Sequence, residues 1–574
     1  MQAFEVWAPR AARVDVAVDG RRVTMTHDEA GRWVASDATA AAGARYGFAL
    51  DGRDPRPDPR SAFQPDGVLG LSELVDQGAH RWNDGAWRGM SLAGSVLYEL
   101  HIGTFTPAGT FDGVIERLPH LVSLGVSAVE LMPEAEFSGD RGWGYDGVDL
   151  FAPHHAYGGP AGLKRLVDAC HAAGLGVVLD VVYNHLGPVG NFLAEFGPYF
   201  SESHHTGWGA AMNFDGPGSD ETRRFVIDNA LMWLRDYHID GLRLDAVHAI
   251  VDKSPVHVLE QMAVEVDGLG AQLLRSFVLV AESDLNDPRI VQSREAGGYG
   301  LDGVWSDDWH HALHTVLTGE KTGYYEDFGS LESLGKALRQ AWVYDGVLSE
   351  HRGRVRGSKA DGVASHSFVI ATQNHDQVGN RAVGGRLASL VDEGKLKVAA
   401  ALLLASPFTP MIFQGEEWAS GSPFLYFTDH ADLDLGAAVR EGRRREFAAF
   451  GWQPDQVPDP QDAATFARSK LDWDEVDEPE HQRMLEWYRA LIELRGRLDS
   501  RGESGISVEI DSTERRIVYR RTGFSVLVNL GLVDWRPAIP TGSRLLMASE
   551  NRLNEGEHVS LQPSSVVIFD EADA

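Results

Sequence analysis

GVVLDVV at residues 176–182, ETRRFVIDNALMWLRDY at 221–237 and GLRLD at 241–245 form the stretch that decides the fold. A short Val- and Leu-rich run, a segment with helical spacing of its apolar residues, and a second short run make a strand, helix, strand unit, the pattern of parallel strands joined by a crossover helix. The same texture begins near Ser95 and supplies eight candidate strands: VLYELHI from Val96, AVELM from Ala128, GVVLDVV, GLRLD, FVLVAE from Phe277, GVWS from Gly303, FVIAT from Phe368 and PMIFQ from Pro410. Helical segments between them include FDGVIERLPHLVSLG, GLKRLVDACHAAG, LESLGKALRQA and KLKVAAALLLA. Eight such units closing on themselves predict an α/β chain with a (β/α)8 TIM barrel, and polar groups at the C-terminal strand ends become the active-site candidates.

On either side the texture is different. Residues 1–90 alternate in short runs, FEVWA, RVDVAV, RWVAS and RYGFAL, between Gly and Asp turns, which predicts an N-terminal β-sandwich like a carbohydrate-binding module. DGRDPRPDPRSAFQPDG from Asp51 reads as a turn-rich surface connector. After the amphipathic helix HQRMLEWYRALIELRGRL come RIVYRR, FSVLVNL and SSVVIF. The expected division is therefore a sandwich over 1–90, a catalytic barrel over 91–500 and a C-terminal β-sandwich over 501–574. No solenoid-period repeat or low-complexity tract interrupts it.

The chemistry gathers at strand ends. Side chains alternate along a strand, so Arg243 and Asp245 of GLRLD point together into the barrel while Leu242 and Leu244 face the helices. A guanidinium beside a carboxylate favours the charged, nucleophilic form, although an isolated Arg-x-Asp is also read as a structural ion pair. The next strand ends in Ala-Glu-Ser, and the apolar run before Glu282 suits its carboxyl to hold a proton near neutrality. Carboxylates on neighbouring strand ends can stand about 5–5.5 Å apart, the spacing of a retaining glycosidase. Asn184 and His185 follow the third strand, and His375 and Asp376 follow the seventh.

Bulk properties narrow the partners. A formal charge of −32 over 574 residues disfavours nucleic acid and anionic lipid, and a neutral substrate such as a sugar meets no such repulsion. The longest apolar run, VAAALLLASPFTPMIF from Val398, is broken by Ser406, Pro407 and Pro410 and falls short of the ~20 residues of a membrane span. The first residues carry no basic, then apolar, secretory pattern, and the single Cys170 permits no internal disulfide, so a cytoplasmic place is expected.

DVVYNH, GLRLDAVH, AES and QNHD together resemble the four ordered regions of the α-amylase family of glycoside hydrolases, and WGYDGV at Trp143–Val148 resembles the segment whose tyrosine stacks under the sugar at the cleavage point. The resemblance implies Asp245 as nucleophile, Glu282 as general acid/base and Asp376 as transition-state stabiliser. It implies Tyr145, Arg243, His185 and His375 as sugar contacts. Many members carry Lys-His just after the nucleophile strand where this chain has His248 and Ala249, so an altered acceptor side is expected and an ordinary endo-amylase is disfavoured.

Longer runs, VYNHLGPVGNFL, SDLNDPR, WSDDWHHALHTVLTGEKTGYYEDF, NHDQVGNR, MIFQGEEW and FLYFTDH, resemble the branch of the family that hydrolyses the α-1,4 bond next to the terminal trehalose of maltooligosyl trehalose. That implies a leaving-group pocket near His248, Asp284, Asp307, Asp308 and His311, with Asp-Asp-Trp-His-His alternatively a simple helix start. Tyr145 and Trp208 are the preferred stacking platforms. A maltooligosyl trehalose synthase is implied as pathway partner, and neither cofactor nor metal is expected. The competing expectations are a 1,4-α-glucan branching transferase, which shares the first half-reaction, and a catalytically silent glucan-binding protein.

Overall fold

The computed structural model describes residues 4–35, 40–448, 452–499, 505–539, 542–550 and 559–571. Eight parallel strands close a barrel: β1 (Leu97–Leu100), β2 (Ala128–Leu131), β3 (Gly176–Val181), β4 (Gly241–Leu244), β5 (Val278–Ala281), β6 (Gly303–Trp305), β7 (Phe368–Ala371) and β8 (Thr409–Phe413). Closure comes from β8 pairing with β1, Met411 opposite Leu97. All eight expected strands are present, within a residue or two of their expected ends.

The barrel interior is layered. Leu97, Ala128, Val178, Val278, Val280, Trp305, Val369 and Met411 form an apolar layer, with Leu92 beneath it. Higher up, the register sets Glu99 opposite Glu130 and Asp180 opposite Arg243, and all four are buried. Each strand's other face packs on the surrounding helices in the main apolar core. Fixed charge thus enters the barrel only toward the C-terminal mouth, where solvent and ligand can compensate it.

Three excursions build the mouth. After β3 the chain makes a hairpin, Phe200–Thr206 with Gly209–Met212. After β6 come the Asp307–Thr318 helix, the Leu331–Gln340 helix and a hairpin of Asp345–Ser349 with Arg354–Gly357. After β8 comes the Leu433–Ala448 helix. Among the described residues no helix is long and apolar enough to cross a membrane.

The N-terminal strands form a three-stranded and a four-stranded sheet. They join the barrel side through Arg32 to Glu221 at 2.7 Å and Arg60 to Asp228 at 2.8 Å. Of the proline-rich connector, Pro57, Asp58 and Pro59 are buried rather than laid over the surface. At the C-terminus the expectation of a sandwich is corrected. The described residues form one five-stranded antiparallel sheet, with Phe524–Asn529 and Ser565–Asp570 at its centre. A second sheet is unnecessary because one face packs on the Glu393–Ala405 helix of the barrel, and Trp535 and Leu561 cover the other.

One glycine ties the fold to the mouth. Gly144, immediately before Tyr145, has φ +94, and a Cβ there would lie 2.2 Å from the Pro133 carbonyl oxygen. Gly144→Ala is expected to cost at least about 2 kcal/mol of stability, since it adds backbone strain to a clash with main chain. Thermal unfolding checks this, and an unchanged melting temperature would count against it.

Candidate active site

Arg243 stands at the centre of the mouth. Its Nη1 donates to both Asp180 oxygens at 2.9 and 2.7 Å and to Asp245 Oδ1 at 2.9 Å, while Nη2 lies 3.4 Å from Glu282 Oε2. The guanidinium sits 4.2 Å over the Trp305 ring and is wholly buried. A buried cation needs such partners, and here one guanidinium fixes the relative positions of three carboxylates. Strands β3, β4 and β5 deliver them because Asp180 stands opposite Arg243, and Asp245 and Glu282 directly follow the paired Leu244 and Ala281.

Beyond β4 the backbone turns sharply: Ala246 has φ +39, and its N–H donates to Glu282 Oε2 at 2.6 Å. Asp245 Oδ2 accepts from Asn184 Nδ2 at 2.7 Å, so it is held from both sides. Burial pushes Glu282 up to about 8, with Asp245, Asp307 and Asp376 adding repulsion that Arg243 only partly offsets. The arrangement can therefore present a protonated carboxyl next to a second, tethered carboxylate, the pair that acid-assisted nucleophilic cleavage of an acetal requires.

A second network backs the cavity. Tyr145 donates its hydroxyl hydrogen to Asp180 Oδ2 at 2.6 Å and lies 2.7 Å from His375 Nε2. Burial pulls His375 down, but Glu99, 2.6 Å from its Nδ1, and Asp376 raise it to about 9. The imidazolium thus donates from both ring nitrogens, toward Glu99 and toward the Tyr145 oxygen. His185 lies between the Tyr145 carbonyl, 2.9 Å from Nε2, and the Asn184 side chain, and burial lowers its pKa. The exposed Trp208, on the hairpin after β3, stacks on His185 at 5.0 Å.

These groups surround a cavity of about 1550 Å3 lined by Tyr145, His185, Trp208, Asp245, His248, Glu282, Asp284, Asp307, His311 and Asp376 among others. That exceeds the about 300–1,000 Å3 of ordinary small-ligand sites and fits an extended oligomer. Arg243 and His375 stand behind this lining and act on it through Asp245, Glu282 and Tyr145. Burial, with Asp376, Asp308 and Asp284 nearby, raises Asp307 to about 7. His311 is pushed down to about 3 by burial, with His314 and Arg352 beside it, and is neutral at neutral pH.

The expectation for Asp308 is corrected. Successive helical residues point about 100° apart, so Asp307 faces the cavity while Asp308 turns inward. Its Oδ2 accepts from Val343 N at 2.7 Å, Tyr344 N at 2.8 Å and Asn286 Nδ2 at 2.7 Å, which leaves it no surface for substrate. Trp309 and Trp418 are fully buried packing residues.

Several lining residues carried no sequence signal of their own. Arg352, on the turn of the hairpin before β7, pairs with Asp284 at 3.0 Å. Glu320 and Arg381, both lining the cavity, pair at 2.7 Å, and Tyr324 lines it with them. Among the described residues the one group of three side chains spaced to hold a metal is Glu136, His154 and His155, outside the cavity lining. His155 Nδ1 lies 2.7 Å from Glu136 Oε1 there. Asn184 spends its amide on Asp245 and His185.

Comparison with known proteins adds independent findings. Residues 78–206 match the model of the alpha amylase catalytic domain. A malto-oligosyltrehalose trehalohydrolase from Rhizobium sp. (strain M-11) is 48% identical over 580 residues, covering 99% of this chain and 97% of its own. A malto-oligosyltrehalose trehalohydrolase from Arthrobacter ramosus is 50% identical over 550 residues, covering 95% of each chain. A crystal structure from Salmonella typhimurium, provisionally assigned as an alpha amylase, superposes with a TM-score of 0.91 at 38% identity, covering 99% of this chain and 97% of its own.

The shared guanidinium makes a prediction of its own. Arg243→Met leaves Asp180, Asp245 and Glu282 without their buried cation and should cost about 3–5 kcal/mol. The penalty is that of unpaired negative charge, so it should shrink as acid protonates Asp180 and Glu282, which burial raises to about 6 and about 8. Unfolding of the variant and the parent at pH 8 and pH 5 measures this, and a loss equal at both pH values would contradict the role.

Proposed function

This chain belongs to the malto-oligosyltrehalose trehalohydrolases, glycoside hydrolases of the alpha-amylase family, and we propose that it cleaves the α-1,4 bond adjacent to the terminal trehalose of maltooligosyl trehalose by a retaining mechanism. The observation that carries the reading is the convergence of Asp245 and Glu282 on one buried guanidinium at the floor of one long cavity.

In the first step the Glu282 proton passes to the bridging oxygen as an Asp245 oxygen attacks the anomeric carbon. The C–O bond to trehalose breaks, its electron pair stays on the departing oxygen, and a glucosyl ester of Asp245 forms. Glu282, now an anion, takes a proton from water, whose oxygen attacks the same carbon and returns Asp245 as carboxylate. Asp376, 46% exposed and lining the cavity, is suited to hold sugar hydroxyls as positive charge develops on the ring. Tyr145 gives the sugar a flat face, its ring held by Asp180 and His375.

Trehalose is bent and non-reducing, so selecting it as leaving group takes polar groups that linear maltose would leave unpaired. His248, Asp284, Asp307 and His311 line the cavity on the β4 to β6 side and suit that task, with Arg352 added to the set. A maltooligosyl trehalose synthase acting upstream and a cytoplasmic place complete the reading. The lone, buried Cys170 is compatible with a reducing compartment. The N-terminal sheets over 1–90 are read as a carbohydrate-binding-module-like unit beside a 91–500 barrel.

Maltooligosyl trehalose, plain maltooligosaccharide and amylose, each given separately to the purified protein, test the assignment. Trehalose should appear from the first alone, and new α-1,6 branches from amylose without trehalose release would reverse it. Asp245→Ala and Glu282→Gln should each lower turnover by roughly 10³-fold or more with the fold retained. Glu282 is the donor only while protonated, and its carboxyl sits at about 8. The rate should therefore hold below that pH and fall as pH rises through it. A kcat/KM profile flat across pH 8 would remove Glu282 from the role.

A further inference from the structure

The cavity continues past the reacting carboxylates and Asp376 along the segments that follow β7 and β8. Its far wall is the Leu433–Ala448 helix with the chain just beyond: Leu435, Val439, Phe447 and Trp452 line the same cavity as Asp245. Leu435 and Val439 stand one helical turn apart on one face. Of the described side chains on this 16-residue helix only Gly436 and Phe447 are buried. A helix kept for packing buries a stripe, whereas this one leaves Leu435 and Val439 half-buried at the cavity. Trp452 is left 36% exposed.

The wall is nevertheless anchored to the site. Arg443 donates to the Gly379 carbonyl at 3.0 Å and to Asn380 Oδ1 at 3.1 Å, both in the turn that begins at His375 and Asp376. Its guanidinium lies 4.9 Å over Tyr426 and 4.7 Å over Phe447. Arg440 pairs with Asp459 at 3.0 Å, and Trp452 N donates to the Phe447 carbonyl at 3.2 Å.

The two ends of the cavity differ in chemistry. The β4 to β6 end presents His248, Asp284, Asp307 and Arg352, charged or polar groups fit to discriminate one disaccharide. The β7 and β8 end sets the apolar and aromatic faces of Leu435, Val439, Phe447 and Trp452 beside polar Asn380, Thr428, His430 and Glu446, fit for a repeating polymer whose sugar rings each expose a C–H face and a rim of hydroxyls. We propose that the Leu433–Ala448 helix and Trp452 form the binding wall for the maltooligosaccharide tail, with Trp452 the stacking platform for glucose units remote from the cleaved bond. The placement rests on the trehalose end occupying the opposite half of the cavity.

Trp452→Ala and Trp452→Phe test it by two readouts. Calorimetric titration with maltohexaose should show affinity weakened about 3- to 10-fold in Trp452→Ala, the worth of one aromatic contact, and largely retained in Trp452→Phe. In kinetics, kcat/KM for maltopentaosyl trehalose should fall by a similar factor through KM, with kcat and the rate on glucosyl trehalose unchanged. Equal maltohexaose affinity in all three proteins, or no binding by the parent, overturns the wall. A parent that binds maltohexaose but releases no trehalose overturns the assigned reaction instead and leaves the wall to stand or fall on the titration alone.

Discussion

One buried cation organises this molecule. Arg243 is placed where the barrel changes from an apolar interior to a polar mouth, and a guanidinium cannot remain there unless carboxylates surround it. Asp180, Asp245 and Glu282 do so. The surplus of acid over base then sets the protonation pattern. Glu282 has the weakest contact with the cation and several like-charged neighbours, so burial leaves the proton on it. A second cation, His375, balances Glu99 and orients Tyr145. Geometry and proton inventory are one problem here, solved by the same few groups.

The cleft that results is asymmetric. One half is lined by titratable groups on short tethers, Asp284 braced by Arg352 and Asp307 beside Gln377. Groups so confined reject a ligand that leaves them unpaired, which is how a hydrolase can require a particular leaving group without changing its bond-breaking residues. The other half is walled by a helix with few buried side chains.

Much of this was legible from residues alone, and what was not has physical reasons. The eight strands could be read because a parallel strand buried on both faces is a short, mostly apolar run, uninterrupted in FVLVA and FVIAT and broken by a single charge in LYEL and GLRL. Arg243 and Asp245 could be assigned to one face because strand alternation is rigid. Asp307 and Asp308 could not be separated, since they are the first two residues of their helix and a shift of one residue exchanges inside for outside. The C-terminal strands revealed their alternation but not that a barrel helix would stand in for a second sheet. Arg352 and Trp452 reach the cavity from insertions, where side-chain direction depends on tertiary packing that no local spacing encodes.

The inward turn of Asp308 has a consequence for how such a site changes over time. By gripping Val343, Tyr344 and Asn286, it fastens the insertion that carries Arg352 to the residue beside Asp307. Pocket wall and insertion therefore form one cassette, joined through Asp284 and Asn286 to the chain just after Glu282, while the nucleophile and its acid stand at the ends of β4 and β5. Descendants of such a scaffold are free to exchange one leaving sugar for another by remodelling that cassette, leaving inherited bond-cleaving chemistry intact underneath.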